Sequence, residues 1–233
     1  MTLVLAGGTG SRMGRPKQFI DLLGIPALLY TMRAFQEAPN VSRIYAVGDR
    51  SRIENLAEEA GISKYAGCAP PGESRSLSTR NGLLLLEEDP ETVVLVHDGC
   101  RCLVTSDLVR RVASAAAGDV DGVVPALSVS DTVKVAENGT VLDTLDRTKL
   151  YAAQTPQAFR LRVLREAYAG SDEYLSSATD DASLVEKAGG RVLVVTGERT
   201  NIKLTSPEDL ILAKAILIAR TGAKAGAPNR VRR

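Results

Sequence analysis

The chain of 233 residues has no tryptophan, one histidine and three cysteines. An odd, low cysteine count does not make a disulfide scaffold and suits a reducing cytosol. Cys100-Arg101-Cys102 has C-x-C spacing, and no second Cys or His pair completes a zinc site. Ser/His/Asp or Cys/His catalysis has only His97 to draw on. That residue ends an apolar run, where a packed, hydrogen-bonded imidazole is the simpler reading. No apolar run approaches the ~20 residues of a membrane span. Charge of one sign is also lacking: 29 basic against 28 acidic residues leave a net +1, which argues against general nucleic-acid binding. No basic, then apolar, leader opens the sequence. The expected compartment is the cytoplasm, or a plastid if a transit peptide has been removed.

The length fits one large domain, or one domain with an appendage. Thr2–Ala6 reads as a buried strand running into Gly7-Gly8-Thr9-Gly10-Ser11-Arg12-Met13-Gly14-Arg15-Pro16-Lys17. Glycines let backbone N–H groups approach an anion, and Arg12 and Lys17 would neutralise it. The loop is not a P-loop, because Gly14 is followed by Arg15. It is not the dinucleotide fingerprint either, because the third glycine falls one place late.

Strand-like and helix-like runs then alternate. Strands are expected at 41–47, 93–96, 122–126 and 192–195. Helices are expected at 50–60, 76–88 and from a Thr105 or Ser106 cap to Ala117. This order predicts an α/β, Rossmann-like three-layer fold with a mostly parallel sheet. Ligands in such sheets bind at the carboxyl ends of the strands. The Gly7–Lys17 loop, His97-Asp98 and the segment after Val195 therefore share one edge.

Residues 128–150 break the pattern. Polar and apolar residues alternate on both sides of Asn138-Gly139, a hairpin turn signal. We read this segment as a β-arm on a domain spanning 1–220. An isolated hairpin is marginal in water, so the arm is expected to pair with a second copy of the chain. Ser206, Pro207 and the acids Glu208-Asp209 start a last helix. Residues 221–233 carry Gly, Pro and basic residues without apolar periodicity and read as a disordered tail.

Asp98, at the end of a central strand facing the glycine loop, is placed either for Mg²⁺ or as a turn aspartate. Arg101 faces the same cleft or a surface partner. Gly72–Leu83 is a loop feeding a helix whose N-terminus can meet an anion; Ser78 is a ligand contact, an N-cap or a packed hydroxyl. Lys203, in Asn201-Ile202-Lys203, is a second candidate phosphate cation. Thr179 reads equally as an N-cap or a ligand contact, and Asp180 and Asp181 as acids complementing the helix dipole.

These residues resemble the 2-C-methyl-D-erythritol 4-phosphate cytidylyltransferases of the non-mevalonate isoprenoid pathway. The resemblance runs through LAGGTGSRMGRPKQF (5–19), Gly72–Leu83, Val96-His97-Asp98 with Arg101, Asp131-Thr132-Val133-Lys134, Leu145-Asp146-Arg147, Gln154-Thr155-Pro156-Gln157, Thr179–Ala182 and NIKLTSPEDL (201–210). It implies that a substrate phosphate attacks the α-phosphate of CTP in line, with Mg²⁺ present and pyrophosphate leaving. Arg12, Lys17 and Lys203 would then stabilise the α-phosphate and the leaving group. Ala6, Gly7, Gly8 and Gly10 would cradle the nucleotide, and Gly72, Arg75 and Ser78 would line the cytidine pocket. Asp98 would hold Mg²⁺. Asp98, Arg101, Thr155, Thr179 and Lys203 would face the sugar phosphate, and Thr132 and Arg147 on the arm would reach a neighbouring subunit's site. The family's His-Asp-Ala-Ala-Arg-Pro is here His97-Asp98-Gly99-Cys100-Arg101-Cys102, a loop expected to be more flexible without the proline. Its cysteines read as packed residues or as oxidation-sensitive thiols. Rival readings are a cytidylyltransferase acting on another sugar or alditol phosphate, such as ribitol 5-phosphate, and a non-catalytic nucleotide-binding protein.

Overall fold

A computed structural model of the chain describes residues 1–8, 10, 14 and 16–222. Strand β1 (Thr2–Leu5) leads into the glycine loop, and a small hairpin follows, β2 (Asp21–Leu22) with β3 (Ile25–Pro26). Next come α1 (Ala27–Glu37), β4 (Ile44–Val47), α2 (Arg50–Glu59), β5 (Tyr65–Ala69), α3 (Arg75–Leu83), β6 (Val93–Asp98), α4 (Ser106–Ala115) and β7 (Gly122–Ser128). The arm is β8 (Lys134–Glu137) and β9 (Thr140–Thr144). The chain returns through β10 (Tyr151–Ala153), β11 (Gln157–Arg160), α5 (Leu161–Ala167), α6 (Asp172–Ser176), α7 (Asp181–Lys187), β12 (Val192–Thr196) and α8 (Pro207–Thr221).

The main sheet has eight strands, ordered β10-β7-β11-β6-β1-β4-β5, with β12 also paired to β7. β1 runs parallel to β4 and β6, β4 to β5, and β12 to β7. Only β10 and β11 run antiparallel to their neighbours. The mostly parallel α/β fold expected from the sequence is therefore present. β11, inserted antiparallel at its centre, is an addition that the four residues Gln-Ala-Phe-Arg did not announce.

Both faces are covered over the central strands β1, β4, β6 and β11, as a parallel sheet requires, while β10 and β12 at one end are largely exposed. Because strand side chains alternate, Val4 and Leu95 join one core with Leu28, Phe35, Ile53 and Leu108, beneath α1, α2 and α4. Leu3, Val94 and Val96 join the other, with Leu83, Phe159, Leu164 and Leu184, beneath α3, α5 and α7. Each fully buried Leu or Phe contributes about 1.5–3 kcal/mol. α8 closes a third cluster over Leu22, Leu103 and Leu204 through Ala213 and Leu217.

The caps follow the chemistry of their residues. Thr105 rather than Ser106 caps α4, accepting the Leu108 N–H at 3.1 Å. Asp209 accepts the Ser206 and Thr205 N–H groups at 2.8 and 2.7 Å ahead of α8. α8 runs through Thr221 to a left-handed Gly222, and the rest of the tail expected over 221–233, residues 223–233, lies outside the described residues. The helix expected over 76–88 spans Arg75–Leu83. In the arm, β8 and β9 pair with each other and with no other strand among the described residues. The turn joining them has φ 48° at Asn138 and φ 80° at Gly139, the positive values that Asn-Gly supplies at low cost.

Candidate active site

Three strand ends and two loops meet at one edge of the sheet. The end of β1 carries Gly7 and Gly8, and Gln18 anchors them by donating to the Ala6 and Gly8 carbonyls at 2.6 and 3.1 Å. Opposite lies the approach to α3. A Cβ on Gly72 would stand 2.6 Å from Leu77 Cβ, and one on Gly7 would stand 2.4 Å from Pro71 Cβ. Glycine at 7 lets the β1 loop come this close to Pro71, and glycine at 72 lets the approach fold this tightly onto the first turn of α3. Ser74 is the N-cap of α3, accepting the Leu77 N–H at 3.1 Å. Ser78 is mostly buried, and its hydroxyl accepts the Gly72 N–H at 3.0 Å. Ser78 is therefore not the N-cap; its packed hydroxyl shapes the turn, and the residue stands on the wall of the cleft. Between the loops opens a cleft of about 400 Å³ lined by Ala6, Gly7, Gly8, Gly10, Lys17, Gly72, Arg75, Ser78, Asp98 and Lys203.

A second cavity of about 260 Å³ adjoins it, lined by Arg101, Thr155 and Thr179, and again by Arg75, Asp98 and Lys203. The three shared residues form the wall between the cavities. Asp98 sits at its centre: Arg75 Nε approaches Oδ1 at 2.8 Å, and Lys203 Nζ approaches Oδ2 at 2.8 Å. Arg101 Nε lies 3.9 Å from Oδ2. Burial alone would push the Asp98 carboxyl up; the charges of Arg75 and Lys203 outweigh it and hold the acid well below the usual carboxylate range.

Arg101 is fixed by donating to the Asn201 carbonyl at 2.9 Å. The turn that lacks the family's proline is held by hydrogen bonds instead. Gly99 N–H reaches the Leu5 carbonyl at 2.8 Å, Arg101 N–H the Asp98 carbonyl at 2.9 Å, and Leu204 N–H the Cys100 carbonyl at 2.9 Å. Cys102 packs in the third core cluster. Burial pushes its thiol up to about 12 and raises that of Cys100 as well. Neither thiol is the low-pKa kind that oxidation selects.

His97 is buried as expected, and its partners define its tautomer. Nε2–H faces the Arg101 carbonyl at 3.3 Å, so Nδ1 accepts from the Thr155 hydroxyl at 3.1 Å. Thr155 Oγ1 in turn accepts the Asp98 N–H at 3.0 Å. Thr155 lines the second cavity, but its hydroxyl is spent on this relay, which pins Asp98 and Arg101. Burial pulls the imidazole pKa down to about 3. An unfolded histidine titrates near ~6.5. Below that pH the unfolded chain binds a proton that the folded chain refuses, so stability falls as the pH drops. Urea unfolding between about pH 6 and 5 should lose stability with a slope approaching about 1.4 kcal/mol per pH unit, and a His97→Gln variant should lack that slope.

Some expected residues are not gathered here. Arg12 lies outside the described residues. Thr132 and Arg147 are exposed on the arm, Arg147 donating to the Ser130 carbonyl at 2.6 Å, and neither lines either of these two cavities. Asp180, not Thr179, caps α7, accepting the Ser183 N–H at 2.9 Å. This leaves Thr179 on the cavity wall. Gln154 and Gln157 also line the second cavity, and Glu73 and Ser74 the first. The Gln-Thr-Pro-Gln segment marked the two glutamines only as part of a pattern. Among the described residues, no three His, Cys, Asp or Glu side chains cluster to form a metal site. No described helix is long and apolar enough to cross a membrane.

Known proteins share this plan. The family model for 2-C-methyl-D-erythritol 4-phosphate cytidylyltransferase matches residues 1–219. A relative of that name from Rubrobacter xylanophilus is 63% identical over 220 residues, covering 94% of this chain and 95% of the relative. One from Geobacillus kaustophilus is 42% identical over 223 residues, covering 94% and 96%. The crystal structure of the Thermus thermophilus protein of the same name superposes with a TM-score of 0.72 at 33% identity, covering 92% of this chain and 97% of that one. The glycine loop, the charged wall and the second cavity thus sit in a chain that matches these relatives nearly end to end, and the chain belongs to the 2-C-methyl-D-erythritol 4-phosphate cytidylyltransferase family.

Proposed function

We propose that the chain transfers a cytidylyl group from CTP to 2-C-methyl-D-erythritol 4-phosphate, a step of non-mevalonate isoprenoid biosynthesis. A phosphate oxygen of the acceptor attacks the α-phosphorus in line, 4-CDP-2-C-methyl-D-erythritol forms, and pyrophosphate leaves. The observation that carries this reading is the wall of Arg75, Asp98 and Lys203 between a glycine-lined cleft and a polar second cavity. Two polyanions placed on either side of that wall meet where the cations are.

The phosphate of the acceptor is already a nucleophile, so the residues have little proton transfer to perform. Their work is to orient the substrates and to stabilise charge. In this assignment Ala6, Gly7, Gly8 and Gly10 cradle the nucleotide, and Gly72, Arg75 and Ser78 bound the cytidine end. Arg12, Lys17 and Lys203 balance the charge on the α-phosphate and on the leaving pyrophosphate. Arg101, Thr155, Thr179 and Lys203 form the acceptor side. Mg²⁺ arriving with the triphosphate would take one or two carboxylates together with phosphate oxygens and water; the wall offers one, Asp98, each of whose oxygens is held by a cation at 2.8 Å, so holding the ion would mean giving up one of those contacts. Asp98 is the carboxylate that would hold it, and the ion would supply further charge neutralisation at the phosphates.

The arm leaves Val135, Val141, Leu142 and Leu145 exposed on an unpartnered hairpin. This supports a homodimer in which the arm covers these side chains and carries Thr132 and Arg147 toward the neighbour. Sedimentation at micromolar concentration should give twice the chain mass; a monomer would sink the arm's assigned role.

The reaction itself is tested by pyrophosphate release from CTP and Mg²⁺, with 2-C-methyl-D-erythritol 4-phosphate and ribitol 5-phosphate in parallel. Release with the methylerythritol acceptor alone is expected. Release with ribitol phosphate alone would keep the chemistry and overturn the acceptor.

A further inference from the structure

Asp181 follows the α7 cap, where the sequence offers only a helix-dipole role for it. Its side chain instead turns inward and is fully buried. Both of its oxygens are engaged. Oδ2 accepts from Arg75 Nη2 at 2.8 Å, and Oδ1 from the Thr79 hydroxyl at 3.2 Å and the Tyr168 hydroxyl at 2.5 Å. Arg75 is therefore gripped twice, at Nη2 by Asp181 and at Nε by Asp98. Its remaining terminal nitrogen, Nη1, is shut off from water and has no partner among the described residues. A buried N–H left unsatisfied costs free energy, and this one belongs to a side chain that lines both cavities. A guanidinium is planar, so clamping two of its nitrogens fixes the direction of the third.

From this geometry we infer that Asp181 is a positioning residue: it holds Arg75 at the wall between the cavities, so that Arg75 Nε keeps the Asp98 carboxylate in place beside Lys203. The inference rests on the cytidylyltransferase reading above. Thr79 and Tyr168 hold Asp181 in turn. Burial, reinforced by the Asp181 charge, keeps the Tyr168 phenol protonated and available as a donor. Arg75 and Asp181 belong to different helices, 106 residues apart, so the clamp also ties the start of α7, beside Thr179, to the nucleotide cleft.

A double-mutant cycle separates positioning from simple structural support. Wild type, Asp181→Asn, Arg75→Gln and the double variant are compared for kcat/KM of pyrophosphate release and for CTP Kd by calorimetry. Asparagine keeps the shape but turns either an amide donor or a neutral oxygen toward Arg75. Misplacing Arg75 should lower kcat/KM by about 10- to 100-fold. In the Arg75→Gln background the same change should cost no more than about twofold. Equal losses in both backgrounds would overturn the inference, because a structural role does not depend on the presence of Arg75. Tyr168→Phe keeps both charges and removes one donor. It should show the same pattern on a smaller scale, and it carries the test if circular dichroism finds Asp181→Asn unfolded. A wild type that binds CTP but releases no pyrophosphate would fail the parent reading instead, and the Kd cycle alone would then decide the positioning role.

Discussion

Lys203→Ala should lower kcat by about 10³-fold, equivalent to about 4 kcal/mol of transition-state stabilisation, while the protein stays folded. Lys203 borders both cavities, and its ammonium lies 2.8 Å from Asp98. In an in-line displacement, negative charge gathers at the α-phosphorus and on the departing pyrophosphate. A cation fixed at that wall needs no reorganisation as the charge develops. The cost to folding is smaller, because the Lys203 side chain is 39% exposed and its pair with Asp98 is partly screened; a loss of about 1 kcal/mol is expected. Lys203→Arg restores the charge in a different shape and should recover only part of the rate. Steady-state kinetics with thermal unfolding of the same preparations checks both halves. A rate loss that merely follows lost folded protein would remove Lys203 from the chemistry.

Asp98→Asn should damage stability and rate together. Its carboxylate is the one negative group between Arg75 and Lys203, and its side chain is only 9% exposed. Neutralising it leaves two cations facing an amide, whose N–H₂ can only add a further donor. Breaking a buried ionic cluster of this kind costs about 3 kcal/mol of stability. Arg75 keeps Asp181 as a partner, which places the loss at the low end of that class. The rate should fall by at least about 10²-fold, because the geometry of both cations depends on this carboxylate. The pH dependence has a definite sign. The folded pKa of Asp98 lies below its unfolded value, so its stabilisation is fully present above the ordinary carboxylate range and is lost as the pH falls through the depressed folded pKa. Wild-type stability should therefore keep the Asp98 contribution at mildly acidic pH, where the variant already lacks it. A variant as stable as wild type would contradict the central placement of Asp98.

Much of this site is legible in the sequence because local rules write it. The apolar Thr2–Leu5 run before glycines, the Val93–Val96 run before His97-Asp98, the Asn138-Gly139 turn and the Ser206-Pro207 helix start each follow from backbone chemistry within a few residues. What stays hidden is set by distant contacts. β11 is four residues long and takes its place from pairing with β6 and β7. α1 is an exception: it buries seven of its eleven residues, and the other four, Tyr30, Arg33, Gln36 and Glu37, recur at helical spacing, a signal already present in the sequence. Thr155 points its hydroxyl at His97 and Asp98 across 58 and 57 residues, and Asp181 meets Arg75 across 106. No spacing rule links such residues. Their pairing appears only once β6, α3 and α7 are brought to one edge.

Direct transfer across the shared wall is tested most sharply by the stereochemistry at phosphorus. CTP carrying one sulfur on its α-phosphate is chiral there, and each in-line displacement inverts that centre. With 2-C-methyl-D-erythritol 4-phosphate as acceptor, inversion in the cytidylylated product is the expected result: one displacement, with both substrates bound on either side of Arg75, Asp98 and Lys203. Retention would mean two displacements through a nucleotide covalently held by the protein, and would contradict the direct mechanism proposed for this wall.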